Sequence, residues 1–584
     1  MSRKITGILY ILSFAILPWL VFSPSINLTT SLAVRLGLFA VLSLIGAYLF
    51  RLTWPRYGWA GALLITCLGY TTAYKLSGFI PDVSSYPFSL GWSEGSRYYY
   101  ASLWLSNLLY GISLPPSVLH PSRYLLQAVP LLIPESSIWL SRFWQVMLWL
   151  LTTTLTSYLL VRRLRLSVHG KPLVIILSTL LWGFLFLFQG PVYYHLQLML
   201  ILILWGFDSQ RFWRSLILVL AASLWAGISR VNWLPVPGLL ASALYILEVQ
   251  ARGKPLIRYL VPPAIWAVAG TFTAYASQLA YQSYSGNPQS WFGSSFSSDL
   301  LWYRLLPNPT YPMGILLSAI LVSLPILGLI LLRLVSHWRE FHILRLIGLT
   351  AILAVLFAGG VIVSVKIGGG SNLHNLDAYL SLLMVIGSYI YFDRFLPDQP
   401  AAVKVDGDSL PRSSKPLRTI EALFLAGAII IPIYFTLSTG GPIPKRDYAA
   451  AQVALSAIKT AARQAIDQGG EVLFITQRQL LTFKQIPGIP LVPDDELVFL
   501  MEMAMGGNAD YLNAFYANIS HQRYDLIVSE PLVIQYQGRS HSFGEENDAW
   551  VKSVSEPVLC FYEPGVTLES VGVVLYTPRS TPCR

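Results

Sequence analysis

The sequence predicts a mainly α-helical membrane protein, a polytopic transmembrane bundle of about thirteen spans followed by a small C-terminal α/β domain. Three observations predict it. Of 584 residues, 54% are hydrophobic and 12% charged, with a mean hydropathy of +0.56, whereas soluble domains carry about 25% charged residues. Apolar runs close to the ~20 residues that cross a bilayer recur along the first 440 positions. Beyond residue 440 the composition becomes that of an ordinary soluble domain.

The apolar runs fall at 5–22, 32–50, 58–76, 137–161, 172–189, 194–207, 215–229, 234–249, 259–281, 313–332, 345–365, 376–392 and 419–437. The first follows Arg3 and Lys4, as a secretion signal would. No small-residue cleavage site comes after it, so it reads as a retained helix. Lys and Arg crowd alternate loops: Arg51 and Arg56, then Arg162, Arg163, Arg165 and Lys171, then Arg211 and Arg214, then Arg252, Lys254 and Arg258. The positive-inside rule puts these loops and the N-terminus in the cytoplasm of a multi-pass cell-membrane protein, and an odd number of spans puts the tail outside. That pattern accounts for the formal charge of +11 without a nucleic-acid partner.

Two regions follow, a membrane domain at 1–440 and a soluble domain at 441–584. The outer loops of the first are long and chemically varied: 77–136, with short helices broken by Pro115, Pro116 and Pro121; 282–312, polar and aromatic; and 365–379, glycine-rich. Inner loops are short and basic apart from 398–416, which reads as a flexible linker. Function therefore belongs on the outer face. In the tail, 447–468 has helical periodicity, GGEVLFIT and YDLIVSEP read as buried strands, and 494–505 and 508–519 as helices. PVLCFYEP and GVVLYTP read as two further strands, completing a small α/β sandwich. Cys560 and Cys583 could pair in an outer tail, but two cysteines so near a C-terminus are more often unpaired. The tail reads as a lid over the outer loops.

Acids are scarce on the outer side of the membrane region: Asp82, Glu94, Glu135, Asp299 and Asp377. Glu94 stands in LGWSEGSRYYYASL at the start of an amphipathic helix, where the helix dipole favours a carboxylate. Trp92 and Tyr98 flank it as an aromatic belt would. Extracytoplasmic transfer of a group onto a hydroxyl needs one carboxylate to take the proton, a contribution of roughly 10²–10⁴ in rate. Glu94 is the first candidate for that base, Asp82 the second and Asp377 the reserve. Arg97, Arg123, Arg142, Arg230, Lys366 and His374 lie at outer ends of spans and together suit a lipid phosphate, and GGGSN could add backbone N–H groups. Each cation taken singly is an interfacial side chain, and His195 in PVYYHLQ reads as structural. Neither a nucleotide-binding motif nor a metal-ligand spacing is present.

The set of many spans, an acid in a long outer loop, basic outer rims and an outer α/β tail resembles the GT-C superfamily of integral-membrane glycosyltransferases. The likeness rests on LGWSEGSRYYYASL and GGGSNLHNLDAYL, and within the superfamily it is closest to protein mannosyltransferases and aminoarabinose transferases. The resemblance implies transfer of a sugar from a polyprenyl-phosphate-linked donor, in contact with membrane lipids, to an acceptor hydroxyl whose identity is unknown. It implies no cofactor. It would make Glu94 the general base and the basic rim the holder of the donor phosphate. A lipid-linked glycan polymerase or ligase shares these features. A transporter or flippase should instead show charges mid-span and repeated halves, neither of which is seen.

Overall fold

The structure is a computed structural model. It describes every residue except 1, 25–30, 169, 171, 337–340, 370–372, 399–414, 582 and 584, and leaves aside the side chains of 295 and 415–417. The loop at 23–31, the linker at 398–416 and the GGGSN run thus lie largely outside the described residues.

All thirteen apolar runs are helical. Among the described residues, seven helical stretches are long and apolar enough to cross a bilayer: Arg3–Phe22, Leu32–Thr53, Ile138–Leu164, Val231–Glu248, Ile315–Ser336, Ile343–Ser364 and Arg418–Ser438. The first is broken at residues 14–15 into Arg3–Ser13 and Ile16–Phe22. Among the rest, Tyr194–Gly206 has 13 residues and Asp377–Tyr391 has 15, each too short to span about 30 Å of hydrocarbon alone. Their place in the bundle explains this. Every residue from Ala378 to Ile390 is buried, as expected for a helix apolar on all sides. Irregular backbone at its ends is tolerated because protein, rather than lipid, surrounds it.

Ile138–Leu164 ties the two ends of the bundle together. Its Arg142 lies among the loops at the tail's end of the bundle and its Arg163 among those at the opposite end, roughly 30 Å apart along the axis at 1.5 Å per residue. Mid-helix, Thr153 and Thr156 exchange hydrogen bonds of 2.9 and 3.0 Å with the buried amide of Gln197, so these interior polar groups are satisfied.

The tail is a mixed sheet in the order β1 (Glu471–Phe474), β2 (Tyr524–Ser529), β4 (Val573–Pro578), β3 (Tyr562–Leu568), with β1 parallel to β2 and the other pairs antiparallel. The helices Tyr448–Asp467, Leu497–Gly506 and Ala509–Ser520 match the periodic segments. The Asp447 carboxylate caps the first of them through the Ala450 N–H. Two readings are corrected. PVLCF is not a strand but part of the helix Glu556–Phe561, which Pro557 can open because the first helical turn needs no N–H there. Cys560 and Cys583 form a disulfide: the end of that helix lies beside the end of β4, where the Arg579 N–H donates to the Phe561 carbonyl.

Loops 77–136, 282–312 and 365–379 hold the tail by buried contacts. The Arg304 guanidinium, fully buried, donates to both oxygens of Glu546 at 2.8 and 2.7 Å and to Glu545 at 3.1 Å. Tyr303 donates to Glu545, and the Gly368 N–H to Glu546. On the other side Tyr99 donates to the Pro493 carbonyl and Gln479 to the Pro87 carbonyl. The tail is therefore a fixed roof over residues 87–110 and 289–310.

Asp495, within that roof, is 5% exposed, and burial pushes its carboxyl up to about 6 although the Tyr524 hydroxyl donates to it at 3.1 Å. Its proton is held more tightly folded than unfolded, so its contribution to stability is full below pH 3.8 and is lost as the pH rises through about 6. Asp495→Asn should stabilise the tail at pH 8 by about 2–3 kcal/mol and flatten the stability profile between pH 4 and 6. Thermal unfolding of the variant across that range checks this.

Candidate functional site

Loop 77–136 holds the candidate acids. Glu94 opens the helix Glu94–Leu103, and its carboxylate is gripped edge-on by Arg142: Nε to Oε1 and Nη2 to Oε2, both 2.9 Å, with both side chains buried. The Leu90 N–H donates to Glu94 at 2.6 Å and the Tyr98 hydroxyl at 3.4 Å. Arg142 also donates to the carbonyls of Ser84, Tyr86 and Phe88 at 2.8, 2.6 and 3.0 Å. All five N–H groups of the guanidinium are thereby engaged. This pair folds the 84–94 segment. Neither partner has a free face for substrate, so Arg142 is a poor choice of phosphate ligand. Arg97, one turn along the helix, is not Glu94's partner.

Asp82 differs. It ends the short turn Ile80–Asp82 and is exposed. Burial of its surroundings and the nearby Glu94 carboxylate raise its pKa, against the pull of Arg97, Arg446 and Lys75. Arg97 is half-buried and, among the described residues, makes no ion pair, and its Nε is unpartnered. The phenol of Tyr194 stands within electrostatic reach of both Arg97 and Arg123. Arg123, likewise without an ion pair among the described residues, lies 4.6 Å from the centre of the Tyr193 ring. From there an aromatic wall extends to His374, 4.7 Å from Tyr193, and to Trp149, 5.0 Å away on another edge.

Three histidines lie near Arg123, Arg230 and one another. His120 lies 3.3 Å from the Ser229 carbonyl, and burial together with Arg230 and Arg123 pushes its pKa down to about 3. His374 is pushed well below its usual range by burial, then by Arg230, His120 and Arg123. Both are neutral at physiological pH, so His374 can offer an N–H but no charge. His195, 1% exposed, has both ring nitrogens unpartnered. Buried imidazole nitrogens without partners are uncommon. Sequence reasoning set His195 aside as a lone histidine; nothing local shows that the chain returns His120, Arg230 and His374 to its side.

The other candidates are placed elsewhere. Arg230 donates to Asp377 at 3.0 Å and also to Asn375. Asp377, fully buried, accepts further bonds from Trp233 at 2.8 Å, Asn232 at 3.4 Å and its neighbour Ala378 at 2.8 Å. It has no room for an acceptor. Lys366 pairs its backbone with Leu300 and has the tail residue Glu502 as its charged neighbour, so it stands apart from the arginines. Tyr98 is buried against Phe483. Trp92, half-exposed, hydrogen-bonds Glu530 at the wall of a cavity of about 260 Å³ between loop 89–96 and the tail. Among the described residues, no three His, Cys, Asp or Glu side chains stand together so as to hold a metal ion. No family model matches the chain, and no characterised protein matches it at a significant level.

The Arg142–Glu94 pair should behave as structure. Arg142→Lys keeps the charge but cannot serve five acceptors in a plane, and leaving the carboxylate unanswered costs about 3–5 kcal/mol. Arg142→Lys should therefore lower the stability of the purified protein nearly as much as Arg142→Gln, with faster amide exchange in 84–94. A lysine variant as stable as the parent would remove the pair from this role.

Proposed function

We propose that the protein is an integral-membrane glycosyltransferase with thirteen crossings and a GT-C-like arrangement, acting at the outer face on a polyprenyl-phosphate-linked sugar. The observation that carries the reading is the gathering of Arg97 and Arg123, unpaired among the described residues, with the unpartnered His195 and the exposed carboxylate of Asp82. Partly desolvated guanidinium groups are what a phosphate oxygen needs. A groove of about 580 Å³ supports a lipid donor: it lies between Ile315–Ser336, Ile343–Ser364 and Asp377–Tyr391, is lined by Leu324, Leu353, Phe357 and Ile386, and begins at Tyr379, two residues from Asp377. A prenyl chain suits such a surface.

In this reading the acceptor hydroxyl attacks the anomeric carbon. Its proton passes to Asp82, the bond from that carbon to the phosphate oxygen breaks, and the phosphate leaves bearing its charge between Arg97 and Arg123. Asp82, with its raised pKa, replaces Glu94 as the base; Glu94 positions the loop. His195 and His374 donate hydrogen bonds to the phosphate as neutral imidazoles.

The test is incubation of purified protein with a panel of polyprenyl-phosphate sugars and identification of the product. Asp82→Asn should lower turnover about 10²-fold or more with donor binding kept, and Arg123→Gln should raise the KM for donor about 10-fold. Lys366→Ala should leave that KM unchanged. Turnover preserved in a folded Asp82→Asn variant would return the base to another acid.

A further inference from the structure

The end of the bundle away from the tail holds a second charged cavity. It has a volume of about 560 Å³ and is lined by five arginines, Arg162, Arg163, Arg165, Arg214 and Arg394, against two acids, Asp208 and Glu248. The acids do not balance the arginines. Glu248 is taken by Arg163, whose Nη2 donates to it at 2.6 Å, and Tyr389 bridges the two, accepting from Arg163 Nε at 2.9 Å and donating to Glu248 at 2.8 Å. Arg163 also donates to the carbonyls of Leu204 and Phe207 at 3.2 and 3.0 Å, so it is a fixed floor. Asp208 is 3.4 Å from Arg211, outside the cavity. Arg162, Arg165 and Arg214 are exposed and form no ion pair among the described residues.

A loop obeying only the positive-inside rule would scatter such cations over a convex surface. Here three separate segments, 162–165, 208–214 and the stretch after Tyr391, turn theirs toward one hollow. Trp205, 59% exposed, and Leu396, 46% exposed, form one wall of it. A tryptophan at a helix end beside cations marks headgroup depth.

We infer that this hollow is a binding site for a phosphate ester, held by Arg162, Arg165 and Arg214 over the Arg163–Glu248 floor. The apolar wall points to the headgroup of an anionic phospholipid, with its chain along Trp205, as the source. The site is independent of the outer pocket and of any reaction there.

Binding is measured on the full-length protein in dodecyl maltoside by native mass spectrometry, titrating phosphatidylglycerol, phosphatidylcholine and, separately, sodium phosphate. The cavity variant is Arg162→Gln/Arg165→Gln/Arg214→Gln. The control is Arg252→Gln/Lys254→Gln/Arg258→Gln, which removes three exposed charges from the neighbouring loop of the same end. The expected result is selective retention of phosphatidylglycerol, weakened about 10-fold or more in the cavity variant and less than about 2-fold in the control. Sodium phosphate binding that is lost only in the cavity variant, without lipid selectivity, keeps the phosphate site and assigns its source to soluble phosphate. Equal weakening in both variants, or binding of neither probe, overturns the inference.

Discussion

Arg142 meets carbonyls from three residues and both oxygens of Glu94 from one buried position, and the tail's end of the bundle is arranged around that demand. A guanidinium inside an apolar bundle must find its acceptors in protein. Each one that does becomes a fastening. Arg304 fastens the tail through Glu545 and Glu546. Arg345 gathers Asp398 and the carbonyls of Ile246, Leu247 and Leu396 at the opposite end. Arg35 holds the carbonyls of Thr439 and Gly440, where the last membrane helix gives way to the tail. These contacts join segments distant in sequence, which supports a bundle whose loops and tail keep fixed positions.

The same demand makes the exceptions informative. Arg97 and Arg123 form no ion pair among the described residues, while the buried His195 keeps two unpartnered nitrogens. Arg123, held against the Tyr124 and Tyr193 rings and not by an acid, keeps its charge available to an anion. Asp82, within electrostatic reach of Arg97, sits in partly desolvated surroundings, a suitable setting for a base.

Helix positions were legible in the sequence because apolar length is a local property, and the run at 447–468 carried both its period and its cap. Partner choice was not legible. Arg97 is three residues from Glu94, yet the carboxylate is met by Arg142, 48 positions away, whose guanidinium takes both of its oxygens. Likewise His120, His195, Arg230 and His374 come from four segments, and only the packing of the helices that carry them assembles the pocket. The PVLCF segment misled because a short apolar run fits strand and helix alike. Pairing of Cys560 with Cys583 depended on where that helix ended.

We propose that the cluster of Arg97, Arg123 and His195 receives a lipid-borne phosphate. Photo-crosslinking with a polyprenyl-phosphate analogue carrying a diazirine beside the phosphate tests it most directly. Saturable labelling of the peptides containing Arg123, Tyr193–His195 and Arg230, diminished in Arg123→Gln, is the result the account requires. Labelling confined to the inner cavity at Arg162–Arg214, or labelling that does not saturate, would contradict it.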